Sequence, residues 1–422
     1  MKRITNFARK VFLFMVLVIV GCGTKKTTAS DNKTDENYVL LVSFDAFRYD
    51  YAEKYNLQNF KKLANEGAST TMMLSSFPSK TFPNHYSIIT GMYPGNHGLV
   101  DNKFYVKERD AFYAIADRSK VEDPYYYKGI PLWQWLQTHG IKTASYFWVG
   151  SETPIAGQFP TYYYKYDDNI PNEERIEQVF KWFQLPQNER PRFITLYFSF
   201  VDTEGHNSGP NSDGMKKATQ EADRLLGLIM KKVKELPLPI NTIVVSDHGM
   251  IEMESTDQTL VDMEEIGTYL KDKAHFVNNG MHGHIYVNNP SEINQIYTYI
   301  QEKLAPRVSL YYRNQTPKHW HYNKDSRIGD IVLVCDAPYY MIPNKEHPLA
   351  KKSGKWGTHG YDPYKTPDMG GIFYAIGPNI KKGYKVATFE NVNVYPLITK
   401  LLNVKNPNTI DGKIEVLQKI IK

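Results

Sequence analysis

The chain has 422 residues, of which 41% are hydrophobic and 23% charged. That balance excludes disordered, collagen-like and polytopic membrane classes and leaves enough apolar residues for a large core. The formal charge of +6 is mostly local: Lys2, Arg3, Arg9 and Lys10 stand in residues 1–21 without an acid, and elsewhere 47 bases face 45 acids. A body this close to neutral gives no electrostatic footing for a nucleic-acid polymer or a polybasic membrane patch. Its 31 tyrosines and 20 phenylalanines supply faces that stack on bases and sugars as readily as they fill cores.

The first elements in chain order are a basic segment, MKRITNFARK, and an apolar run, VFLFMVLVIV, the order of a secretory signal. The run is too short to remain as a bilayer-spanning helix. Ile19, Val20, Gly21 and Cys22 resemble a bacterial lipoprotein processing box, which implies a signal peptide over 1–21 and acylation of Cys22 as the new N-terminus. Export and a lipid anchor in the bacterial cell envelope follow, with membrane contact only through that anchor. Residues 22–37 are polar and aperiodic and read as a flexible tether. The one other cysteine, Cys335 in DIVLVC, reads as a buried small hydrophobe, so no intramolecular disulfide is expected.

From residue 38 onward, short apolar runs alternate with helical patterns. Strands are predicted at 38–44 (YVLLVSF), 142–148, 192–201, 241–246 and 371–377, and helices at 57–66, from Pro171 to Phe183, and at 215–236. In the last helix Ala218, Ala222, Leu225, Ile229 and Val233 share one face. Alternation of this kind indicates an α/β fold, a mainly parallel sheet covered by helices, within one catalytic domain at 38–422. Residues 250–346, with a helix near 291–304 and the stretch YYRNQTPKHWHY, read as a smaller cap or insertion.

In such sheets ligands bind beyond the carboxyl ends of the strands. Asp45 follows the first predicted strand, Asp202 the third, and Asp247 with His248 the fourth. Asp202 and His206 stand four apart in DTEGH, but Gly205 disfavours a helix there, and a loop pair is expected. Carboxylates converging at one edge repel one another unless a cation lies among them. Mixed oxygen and imidazole donors suit zinc first and manganese second. With His359 in GTHGY, six groups suffice for two three-ligand sites. Thr81, two residues before Pro83, is placed near a helix start; alone it reads as a cap, whereas beside a divalent metal its hydroxyl becomes a nucleophile.

YVLLVSFDAFRYDY, FPSKTFPNHYSIITGMYP followed by NHG and DN, DTEGH, VVSDHGM and GTHGYDP together resemble the nucleotide pyrophosphatase/phosphodiesterases of the alkaline phosphatase superfamily. The resemblance runs from about residue 38 to about 400 in family order and implies an alkaline-phosphatase-like sheet between helices. Beside the larger animal relatives with their extra terminal domains, the resemblance implies a minimal catalytic unit. The resemblance also implies one zinc on Asp202, His206 and His359, a second on Asp45, Asp247 and His248, and Thr81 between them. Asn102 would donate to a non-bridging phosphoryl oxygen. The implied reaction is hydrolysis of a nucleotide phosphodiester or pyrophosphate through a covalent nucleotidyl-threonine, releasing a nucleoside 5'-monophosphate.

For substrate, a nucleotide or dinucleotide, the resemblance places Phe82 and Tyr166 on either side of a base, Trp148 and Glu152 in the pocket wall, and Lys103 or Lys120 at a distal phosphate. His85 and His97 are given structural roles. Two positions depart from the family pattern. Ala46 replaces a glycine, which requires a backbone conformation that an L-residue tolerates, and Val149 replaces a proline. The alternatives left open are a choline or glycerol phosphodiesterase with the same metals and, in a different class, a non-catalytic glycan-binding lipoprotein.

Overall fold

The computed structural model describes residues 36–422, so the expected signal peptide, Cys22 and nearly all of the tether lie outside the described residues. The main sheet has eight strands in the order Tyr384–Val386, Ala68–Thr70, Phe373–Ile376, Ile240–Val245, Tyr38–Phe44, Phe193–Phe198, Thr143–Tyr146 and Tyr162–Tyr163. Tyr38–Phe44 runs parallel to both its neighbours, and Phe373–Ile376 is antiparallel to Ile240–Val245. The sheet is therefore mainly parallel, as the alternation of strands and helices requires.

All seven residues of Tyr38–Phe44 are buried. Val39 and Leu41 enter one apolar cluster and Leu40, Val42 and Phe44 another, because helices cover both faces and each face needs its own alternate side chains. On the second face lie Gln58–Glu66, Asn172–Phe183 and Asp213–Glu235, the three helices predicted from periodicity. Ser212 caps the longest of them by accepting the Met215 amide at 3.0 Å. Ala222, Leu225 and Ile229 of its expected face are buried.

One local expectation fails. Phe200–Ser208 is a helix, so Asp202 does not directly follow a strand and stands with His206 one turn apart on the same helical face. Gly205, read as a helix breaker, is instead a contact point: a Cβ there would lie 2.7 Å from Met250 Cε and 3.1 Å from Met215 Cε. The Lys355–Thr358 strand closes from the other side, where a Cβ on Gly357 would come within 2.4 Å of the Gly205 carbonyl oxygen. The roughly 1 kcal/mol propensity penalty of a helical glycine is outweighed by that close approach.

Within 250–346 a four-stranded antiparallel sheet forms in the order Ala274–Asn278, His282–Val287, Ile331–Cys335 and Val308–Tyr312. The helix expected near 291–304 is Ile293–Leu304, and Ile296, Ile300 and Leu304 join the apolar cluster of this sheet. Cys335 is buried in it, and burial pushes its thiol pKa up. The aromatic stretch is an anchor: Trp320 stacks on Phe77 at 4.0 Å and the Tyr322 hydroxyl donates to the Val100 carbonyl at 2.9 Å. Residues 36–422 group as one compact unit, and none of the described helices is long and apolar enough to cross a membrane.

The glycine contact gives a direct test. Gly357→Ala must push the Phe200–Ser208 helix away and should destabilise the fold by about 1–3 kcal/mol. Gly267→Ala, in the helix Glu264–Leu270 with nothing within 4 Å of the added carbon, should stabilise by up to about 1 kcal/mol. Urea unfolding midpoints that move in the same direction for both variants would contradict this account.

Candidate active site

The acids at the strand ends converge as their positions require. Asp45 follows Tyr38–Phe44, Asp247 lies two residues beyond Ile240–Val245, and Asp202 sits in the first turn of the helix after Phe193–Phe198. The oxygens Asp45 Oδ1, Asp202 Oδ1 and Asp247 Oδ2 are buried without a hydrogen-bond partner among the described residues. Their other contacts are short distances to imidazole nitrogens: His206 Nε2 is 3.4 Å and His359 Nε2 3.6 Å from Asp202 Oδ1, His248 Nε2 is 2.9 Å from Asp247 Oδ2 and 3.6 Å from Asp45 Oδ1, and His85 Nδ1 is 3.3 Å from Asp247 Oδ2.

The imidazole protons are fixed by what lies behind each ring. His206 Nδ1 faces the Gly357 carbonyl, His248 Nδ1 that of Gly249 and His359 Nδ1 that of Ser79, each at 2.9 Å. A carbonyl only accepts, so Nδ1 carries a hydrogen and each ring, in its neutral form, turns the Nε2 lone pair toward the carboxylates; against the effect of its burial, Asp247 draws His248 above the usual imidazole value. Lone pairs then face lone pairs, an arrangement that fits a divalent cation with nitrogen and oxygen ligands. Burial, and then the charges of Asp247 and Asp202, push the Asp45 carboxyl well above its usual range. Burial, with His248, Lys80 and His206 nearby, pushes His359 well below the usual imidazole value. A cation among these groups would relieve the Asp45 carboxylate and take the neutral His359 ring as a ligand.

Two tight triads stand out, Asp45–Asp247–His248 and Asp202–His248–His359. His248 belongs to both and its ring stacks on that of His359 at 3.7 Å. His206 lies just outside the second triad, within reach of Asp202 only. The six groups named from sequence therefore share one site, with His248 central rather than confined to one half.

Thr81 is the first residue of the ten-residue helix Thr81–Thr90, whose cap is Lys80. Its hydroxyl does not cap that helix; Oγ1 lies 3.2 Å from His248 Nε2. His85, one turn on, binds Ser43 Oγ at 2.8 Å through Nε2 and the Thr81 carbonyl at 3.0 Å through Nδ1, holding the helix start against the central strand. His97 is buried behind it beside Ser87, and burial lowers its pKa to about 3. Asn102 accepts the Phe82 amide on Oδ1 at 3.1 Å, which leaves its Nδ2 group as a donor. Ala46 adopts φ 54°, in the left-handed region, and donates its amide to Asp247 Oδ1 at 3.1 Å. The alanine thus occupies a conformation that costs an L-residue about 1–2 kcal/mol, where an ordinary conformation was expected.

A cavity of about 440 Å³ opens beside this cluster, and Thr81, Phe82, Trp148, Glu152 and Tyr166 line it together with Asp45. Val149 shares the wall. The Trp148 indole is fixed by donating to the His85 carbonyl at 3.0 Å, and the Tyr166 amide donates to Glu152 Oε2 at 3.0 Å. Lys103 and Lys120 are not in the wall. The cation there is Arg118, paired with Glu152, which sequence reasoning missed because the contact joins residues 34 apart, one in the short helix Arg118–Val121 and the other in a turn.

Tyr197 was also missed. Its hydroxyl donates to Asp45 Oδ2 at 2.6 Å from the neighbouring strand, where it pairs with Ser43 in register. Only that register places it two residues from the aspartate. Tyr197→Phe should weaken divalent-metal affinity by about 10–100-fold, measured by competition with a chelating dye; unchanged affinity would contradict an orienting role.

Comparison with known proteins agrees with this geometry. The family model for type I phosphodiesterase / nucleotide pyrophosphatase matches residues 39–362. The chain is 34% identical to the venom phosphodiesterase CdcPDE of Crotalus durissus collilineatus over 95% of its own length and 48% of that protein. It is 36% identical to human ectonucleotide pyrophosphatase/phosphodiesterase family member 1 over 86% of its length and 40% of that protein. The chain thus spans about half the length of these curated relatives. Among solved structures, murine ectonucleotide pyrophosphatase/phosphodiesterase 5, an inactive threonine-to-alanine variant in complex with AMP, aligns with TM-score 0.83 and 28% identity, covering 92% of this chain and 100% of that one. The chain belongs to the type I phosphodiesterase / nucleotide pyrophosphatase family.

Proposed function

We propose that the protein is a two-zinc hydrolase of nucleotide phosphodiester and pyrophosphate bonds, releasing a nucleoside 5'-monophosphate. The observation that carries this reading is the position of Thr81, its hydroxyl beside His248 Nε2 and bordering both the unpaired carboxylates and the aromatic cavity. The AMP complex of the murine relative supports a nucleotide in that cavity, and the inactivity of its threonine-to-alanine variant supports a reacting threonine.

Zinc ions held by Asp45, Asp247 and His248 and by Asp202, His206 and His359 would lower the hydroxyl pKa of Thr81 and offset phosphoryl charge. In the first displacement Thr81 Oγ1 gives up its proton to solvent and forms a bond to phosphorus while the bond to the leaving oxygen breaks, giving a nucleotidyl-threonine. In the second, water replaces Thr81, whose oxygen regains a proton as the nucleoside 5'-monophosphate departs. Asn102 Nδ2 donates to a non-bridging oxygen, where negative charge concentrates, while its Oδ1 holds the Phe82 amide. Phe82 and Tyr166 hold the base by stacking, at roughly 1–3 kcal/mol per base. Arg118, held by Glu152, adds a positive edge to the same wall.

We place the enzyme outside the cytoplasm on a lipid at Cys22, a reading supported by the N-terminal signal pattern alone. Cys22→Ser should release the protein from the membrane fraction; retention there would count against the lipid anchor.

Thr81→Ala should keep bound metal and abolish turnover of p-nitrophenyl thymidine monophosphate. Asn102→Ala should lower the rate by about 100-fold or more. Faster turnover of p-nitrophenyl phosphorylcholine than of the nucleotide ester would overturn the pocket assignment. Full activity in Thr81→Ala would overturn the mechanism.

A further inference from the structure

A second buried cluster lies next to the site and takes no part in the chemistry above. Asp101, His282 and His284 are all fully buried. Asp101 immediately precedes Asn102, whereas the histidines occupy alternate positions of the His282–Val287 strand and so point to the same face of the inserted sheet. His282 Nε2 bonds to Asp101 Oδ2, His284 Nε2 lies 3.1 Å from the same oxygen, and Asn279 Nδ2 donates to it at 2.7 Å. The remaining oxygen, Asp101 Oδ1, accepts the backbone amide of Asn102 at 2.7 Å.

An aspartate and two histidines so close together could hold a cation, but the hydrogens are placed the other way. The Gly329 amide donates to His284 Nδ1, so the proton of that ring is on Nε2, facing the carboxylate. Asn279 is oriented by a second bond, from the same Nδ2 to the Lys103 carbonyl at 3.0 Å. Donors therefore converge on one anionic oxygen, the reverse of the metal site, where Nδ1 faces carbonyls and bare Nε2 faces carboxylates. Burial alone would raise the Asp101 carboxyl, and the bonds from His282 and His284 hold it well below its usual range.

Asn102 is consequently fixed at three points, its backbone amide by Asp101, its carbonyl by the Ile115 amide at 3.0 Å and its Oδ1 by the Phe82 amide, which leaves Nδ2 as its donor for substrate. We propose that Asp101, clamped by Asn279, His282 and His284, is the positioning residue of Asn102. The inserted sheet then sets the geometry of the phosphoryl-oxygen donor. This rests on the donor role given to Asn102 above.

A double-mutant cycle with Asp101→Asn and Asn102→Ala in the full chain tests it, with kcat, KM, metal content and thermal midpoint read together. Asp101→Asn should lower kcat by about 10–100-fold with KM and metal content little changed, and should add nothing further in the Asn102→Ala background. His282→Gln, measured in the same cycle, should behave alike and supplies the test if Asp101→Asn does not fold. Losses that multiply in the double variant, or an unchanged kcat in the single ones, would overturn the proposal. So would an extra metal equivalent per chain that His282→Gln removes. A wild-type rate for Asn102→Ala overturns the donor role itself, and the proposal with it, before the cycle is read.

Discussion

Repulsion among three carboxylates, Asp45 and Asp247 buried and Asp202 partly so, is the constraint on which the site depends. Parallel strands deliver Asp45 and Asp247 to one edge, and the helix after the next strand adds Asp202. The main chain gives them little, the Ala46 amide on Asp247 Oδ1; the carbonyls of Gly249, Gly357 and Ser79 instead turn the three histidines so that Nε2 also faces inward. The fold is stable around a concentration of electron pairs, and that favours a cation where a nucleophilic hydroxyl already stands.

The neighbouring His–Asp cluster makes the same residue types do the opposite. Around Asp101 the imidazole and amide hydrogens point inward, so the carboxylate is satisfied by the protein itself. The difference lies in the backbone partners: carbonyls behind the three rings of the metal site, the Gly329 amide behind His284, and none among the described residues behind His282. Spacing alone could not separate the two, since MHGHIYV and VVSDHGM each offer histidines near a strand.

Much of the architecture was legible because burial on both faces leaves a continuous apolar signature. YVLLVSF is a strand with the predicted boundaries, and the periodic helices at 172–183 and 213–235 appear within two residues of where their stripes placed them. The strand-end rule pointed to Asp45, Asp202, Asp247 and His248, whereas His206 and His359 were read from DTEGH and GTHGY; the structure moves Asp202 into the helix that follows its strand. What sequence did not disclose depends on partners distant along the chain. Gly205 looked like a helix breaker because Met215, Met250 and the Lys355–Thr358 strand could not be seen packing on it. Tyr197 and Arg118 acquire roles through register and loop contact, and Lys103 and Lys120 were chosen by charge where only geometry could decide. The inserted sheet left no motif because its contribution, a clamp on Asp101, is made of ordinary strand residues.

The account turns on a cation at the strand ends, and a crystal structure of the metal-loaded full chain with anomalous data across the zinc edge tests it most directly. Two anomalous peaks are predicted, one bounded by Asp45, Asp247 and His248 and the other by Asp202, His206 and His359, both beside Thr81, with none at Asp101. Absence of density among those six groups, or a peak held by Asp101, His282 and His284, would contradict it.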